Sequence, residues 1–129
     1  MKVTRSALCR LLWAAAIACV IVGSLLPGDS RILAKAMQIA GNDKAAHFVA
    51  YTMLGVLAMF SFQRRIQAMP AAASMVLLGG LLELAQKYAP GRSPEVADEV
   101  ANLLGVACGV LLAILARAIM VRSPDEASG

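Results

Sequence analysis

Apolar residues run in four long stretches, about 7–26, 45–62, 69–88 and 96–120, and most charged residues fall in the short segments between them. Each stretch is close to the roughly 20 residues that carry a helix across a bilayer, so the pattern predicts four transmembrane helices. Between the first two lies a segment of different periodicity. Arg31, Lys35 and Gln38 recur at helical spacing opposite Ile32, Leu33, Ala36 and Met37, as in a short helix lying in the membrane interface. Asp29 or Ser30 is placed to cap its start and Gly41 its end.

Punctuation residues support these boundaries. Pro27-Gly28 stops the first stretch, and the third is expected to open just before Pro70, within the first turn that tolerates proline. The fourth is expected to open with Ser93 as cap, Pro94 at the first helical position and Glu95 behind it. Ser123-Pro124 ends it and leaves a polar tail, residues 123–129. Lys2 and Arg5 before an apolar run, with Ala16-Ile17-Ala18-Cys19, faintly resemble a cleaved signal. The run continues through Val20, Ile21, Val22, Leu25 and Leu26, as a retained span does.

Composition agrees with an all-α integral membrane bundle of four transmembrane helices with a short interfacial helix between spans one and two. Of 129 residues, 60% are hydrophobic and 16% charged, against roughly 45–50% and 25% in soluble domains. Mean hydropathy is +0.72. A core built by so short a chain cannot hide that much apolar surface, so the lipid bilayer is the expected environment. The length leaves no room for a separate soluble domain, and residues 1–122 are expected to form one transmembrane domain.

A net charge of +4 raises the question of a nucleic-acid partner. Lys2, Arg5, Arg10, Arg64, Arg65, Arg117 and Arg122 all flank apolar runs, a pattern of membrane orientation. No nucleic acid is expected. With the N-terminus cytoplasmic, these seven lie inside against five outside: Arg31, Lys35, Lys44, Lys87 and Arg92. Both termini are therefore placed in the cytoplasm and the protein in the plasma (inner) membrane. Cys9, Cys19 and Cys108 show no CxxC spacing and read as small buried hydrophobes; no metal and no cofactor is expected.

With the spans placed, the polar residues that are awkward in lipid converge on the extracytoplasmic ends of spans two, three and four. Asp43, His47 and Tyr51 share one face of the second span, with Lys44 beside them. Gly79, Glu83 and Gln86 share a face of the third, with Lys87 and Tyr88 as interfacial anchors. Asp98, Asn102, Gly105 and Gly109 do so on the fourth, Asp98 more than a turn inside the helix if Ser93 is its cap. Pro90-Gly91-Arg92 connects the two. An isolated charge well inside a bilayer costs at least about 2.5 to 3.5 kcal/mol, so Glu83 should be neutral or partnered by His47, Lys44 or Arg92. Arg92 is equally suited to neutralise Glu95. Ala101, Gly105, Gly109 and Ala113 form a small-residue ladder for close helix approach, and Gly79-Gly80 a second such contact.

These residues resemble a known family. Asp43-Lys44-Ala45-Ala46-His47-Phe48-Val49-Ala50-Tyr51, Gly79-Gly80-Leu81-Leu82-Glu83-Leu84-Ala85-Gln86, Pro90-Gly91-Arg92 and Asp98-Glu99-Val100-Ala101-Asn102-Leu103-Leu104-Gly105 together are similar to the VanZ-like family of small multi-pass membrane proteins. The resemblance covers about residues 25–112 and implies that Asp43, Lys44, His47, Tyr51, Glu83, Gln86, Arg92, Asp98 and Asn102 form the family's polar site. The family is named for a protein linked to low-level teicoplanin resistance. Glycopeptide resistance is thereby a role to be tested for this chain, and the resemblance does not transfer it.

Three functions fit the cluster. The first is binding of a lipid-linked or cell-wall-related envelope precursor, or a membrane protein partner, with Lys44, Arg92 and two helix N-termini holding a phosphate or carboxylate. The second is a membrane enzyme acting on a lipid-phosphate substrate with His47, Glu83 and Asp98 as acid–base groups. It lacks a GxSxG or HExxH constellation, which leans the reading away from catalysis. The third is a purely structural cluster in a small scaffold. Oligomeric state is open from sequence.

Overall fold

A computed structural model describes residues 4–122, with α1 at Arg5–Leu25, α2 at Arg31–Ala40, α3 at Asp43–Ser61, α4 at Arg65–Ala85 and α5 at Val96–Arg122. A 3-10 turn at Gln86–Tyr88 extends α4. Lys2 and the expected ending at Ser123-Pro124 with its tail lie outside the described residues. Four of these helices are long and apolar enough to cross a membrane, and no strand occurs among the described residues. The protein is a multi-pass membrane protein whose helices sit in a lipid bilayer.

Helix α3 is the central element, packed on α1, α4 and α5. Its contact with α5 is the closest, because glycine replaces side chains where the backbones meet. A Cβ on Gly105 would lie 2.5 Å from the Phe48 carbonyl oxygen, and one on Gly55 would lie 2.9 Å from that of Val106. The small-residue ladder expected on the fourth span is thus met by α3 within the chain. Tyr51, Leu54, Ala58 and Met59 of α3 bury against Met75, Val106 and Ala113. By contrast α1 buries no residue fully; Trp13, Ala16, Ile17 and Val20 cover one side of the core.

Two expectations are corrected. Helix α4 starts at Arg65, five residues before Pro70. Proline there removes only the amide that would bond the Ile66 carbonyl, and the preceding turn still buries Ala68. None of the cysteines is in the protein interior: Cys19 is exposed and Cys9 and Cys108 are half-buried. In a membrane an apolar thiol can face lipid as well as protein.

The end of the bundle away from α2 is closed by arginine. Arg10 Nε donates to the Ser61 carbonyl at 3.0 Å. Arg117 donates to the carbonyls of Met59 and Phe62, the latter at 2.8 Å. These are carbonyls at the C-terminal end of α3, which no next turn can satisfy. The two guanidinium groups also lie over the rings of Phe62 and Phe60. Residues expected to set orientation therefore also cap a helix.

At the opposite end, Gly28 N–H donates to the Pro90 carbonyl at 2.9 Å. This joins the α1–α2 link to the turn between α4 and α5. Gly41 ends α2 with φ +95°, a conformation that favours glycine.

Candidate functional site

The polar residues meet at that opposite end, where α3 and α5 begin and α4 finishes. Asn42 caps α3 by accepting from the Ala45 amide at 2.8 Å. Asp43 therefore opens the first turn, where the positive helix end favours its charge. His47 and Tyr51 follow on the same face, their rings near-parallel at 13° and 6.5 Å apart. Tyr51 is buried in the core.

Helix α5 starts later than the sequence suggests. It begins at Val96, which puts Asp98 and Glu99 in its first turn and overturns the deeper placement inferred from a Ser93 cap. The Glu95 amide donates to Glu83 Oε2 at 3.2 Å, while the Glu95 carbonyl accepts from Asp98 N at 3.0 Å. Held by α4 in this way, the chain winds only from Val96 onward. Glu83 is thus partnered by a backbone amide and by His47, whose Nε2 lies 4.0 Å from Glu83 Oε1.

Lys44 bridges two helices. Its ammonium is 2.5 Å from Glu95 Oε2 and 3.2 Å from Asp98 Oδ1. Glu95 therefore pairs with Lys44, and Arg92 makes no ion pair among the described residues. The ammonium holds the Glu95 carboxyl below its ordinary value. A carboxyl depressed in the folded state adds stability above its unfolded-state value, and that increment is lost as pH falls through the folded one. Melting curves taken from about pH 6 to about pH 3 should show wild type losing its small advantage over Glu95→Gln as pH drops. The effect is small because both groups are exposed.

Asn102 organises the centre. Its Nδ2 donates to Glu99 Oε2 at 3.0 Å, and its Oδ1 lies 2.9 Å from His47 Nδ1. An ionised carboxylate only accepts, so the Asn102 amide group faces Glu99 and its oxygen faces His47. With the Asn102 oxygen toward it, His47 Nδ1 is the donor of that hydrogen bond. Its Nε2 lies between Glu83 Oε1 and Asp43 Oδ1, 4.0 and 3.9 Å away. Gly79 makes the arrangement possible: a Cβ there would lie 2.7 Å from Asn102 Nδ2 and 2.8 Å from Glu99 Oε2. Gly79 thus makes room for side chains of α5, whereas a Cβ on Gly80 would make only ordinary contact with Glu99, at 3.6 Å.

The VanZ/LLP1 family model matches residues 8–117. The chain belongs to the VanZ/LLP1 family. No curated protein and no solved structure matches it. In this VanZ/LLP1 protein, seven of the nine polar residues singled out in the sequence form one connected group: Asp43, Lys44, His47, Tyr51, Glu83, Asp98 and Asn102. Gln86 turns instead to α1, donating from Nε2 to the Ser24 carbonyl at 3.2 Å. Arg92 stands at the rim of a cleft beside the group. Glu99 was missed as a site residue; its one signal is the three-residue spacing to Asn102 in a first helical turn.

The cleft opens between α1, α2 and α3, with a volume of about 240 Å³. Asp43, His47, Tyr51 and Arg92 form its polar side. Val20 and Gly23 of α1, Leu33 and Met37 of α2 and Ala50 of α3 are among the residues that line the rest. The amphipathic α2 therefore contributes its apolar face to the cleft wall.

Proposed function

We propose that this VanZ/LLP1 protein binds an amphiphile with an anionic headgroup, such as a lipid-linked or cell-wall-related envelope precursor, in the cleft under α2. The cleft carries the reading. A mostly apolar recess with a few polar groups at one side suits a molecule that is apolar along its length and charged at its end. Arg92, which makes no ion pair among the described residues, supplies the charge for a phosphate or carboxylate, and His47 lies within the same lining. Lys44, engaged by Glu95 and Asp98, is not available for this role as the sequence suggests. The seven-to-five distribution of basic residues supports a topology with both termini in the cytoplasm and the cleft at the outer face of the plasma membrane.

Native mass spectrometry of protein extracted in mild detergent tests this. Arg92→Gln should lower the fraction carrying anionic lipid several-fold while helicity and yield stay at wild-type levels. Equal lipid occupancy in the two proteins would rule the cleft out as a headgroup site.

A further inference from the structure

The polar group carries more negative than positive charge. Asp43, Glu83, Glu95, Asp98 and Glu99 stand against Lys44 and Arg92, five acids to two bases, a formal balance of −3 with His47 neutral. At the edge of a bilayer a surplus of this kind calls for protons or a further cation. Side-chain geometry indicates where a cation fits. Asp43, His47 and Asp98 each bring one ligand atom to within 4.8 Å of the other two. Asp98 is 2% exposed, and its Oδ1 accepts no hydrogen bond; the Lys44 ammonium is its ion-pair neighbour. His47 Nε2 lies 3.9 Å from Asp43 in this same space, its ring held by Asn102 and, behind it, Glu99. A ligating histidine is ordinarily fixed in this way through its other nitrogen.

We infer that Asp43, His47 and Asp98 bind one divalent first-row cation of the zinc or manganese type. An imidazole with carboxylates and no thiolate suits these ions. Ligand atoms on one tetrahedral ion at zinc distances lie about 3.3 Å apart, so the present 3.9 Å between His47 Nε2 and Asp43, and separations of up to 4.8 Å across the three residues, close by side-chain rotation. In the metal-free protein the Lys44 ammonium supplies positive charge at the same place. Metal and lysine therefore compete for Asp98. This inference does not rest on the amphiphile reading.

The test is calorimetric titration of chelator-treated full-length protein in detergent with zinc chloride, repeated with manganese and magnesium chlorides. Wild type should take up one zinc ion per chain. His47→Gln and Asp98→Asn should bind at least about tenfold more weakly. Lys44→Gln should bind more tightly, which a merely structural role for these residues does not produce. Circular dichroism checks folding, and if Asp98→Asn does not fold, His47→Gln and Lys44→Gln decide. Uptake of zinc by His47→Gln equal to wild type, or none by wild type, would overturn the site whatever the lipid occupancy shows.

Discussion

Replacing Gly109 by valine should abolish stable packing of α5 on α3. A Cβ at this position would meet the backbone of α3 on three sides: the Thr52 carbonyl, the Val56 amide nitrogen at 2.9 Å and Gly55 Cα at 3.1 Å. A flexible side chain could swing away, but a helix backbone cannot, so the helices must part along their length. Overpacking typically costs 1–3 kcal/mol, and we expect about 3 kcal/mol here because the obstacle is main chain. Separation of the helices also parts Lys44 from Glu95 and Asp98, and His47 from Asn102. The measurement is thermal melting in detergent followed by size exclusion. Wild-type melting of Gly109→Val would mean that α3 and α5 do not approach as described.

Asn102→Ala should have the second-largest effect. Asn102 is 1% exposed, and its removal leaves His47 Nδ1–H and one Glu99 oxygen without the partner each now has. An orphaned buried polar group costs about 1–3 kcal/mol, so the combined loss is expected near the top of that range. The same change releases the His47 ring, whose Nε2 is no longer held toward Asp43 and Glu83. Asn102→Asp is the informative companion. It keeps an acceptor for His47 but sets a carboxylate against Glu99, so it should retain the ring orientation and still destabilise. Melting curves resolve the stability loss, and histidine nitrogen NMR resolves the tautomer. Retention of the Nδ1–H form in Asn102→Ala would show that another group holds the ring.

The helices were readable in the sequence because a bilayer imposes a length and a polarity that no other solvent does. The interfacial segment at Arg31–Ala40 was equally plain from its two-sided spacing. Helix starts were less so. Pro70 reads as a first-turn residue, yet α4 begins at Arg65, because sequence alone does not reveal that Ala68 packs inward. Ser93-Pro94 looks like a start, yet a carboxylate from another helix, Glu83, takes up the Glu95 amide just before Val96. The convergence of Asp43, His47, Glu83, Asp98 and Asn102 followed from periodicity. What periodicity cannot tell is which neighbour each group chooses. Lys44 turns to Glu95, Gln86 to Ser24, and Glu99, on a half-buried face with no obvious reader, supports Asn102. Gly55 was passed over because its reason for being glycine lies across the interface at Val106.

The arginine caps on α3 also bear on how the protein is made. Helix α3 is the least apolar of the four spans, and its C-terminal carbonyls are satisfied from both ends of the chain. Arg10 precedes Ser61 by 51 positions, so this partner is already synthesised when α3 emerges. Arg117 follows Met59 by 58 positions and arrives only after α4 and most of α5 have been translated. Until then the C-terminal end of α3 has one of its two arginine partners, and α5, which packs on α3 and α4, brings the second.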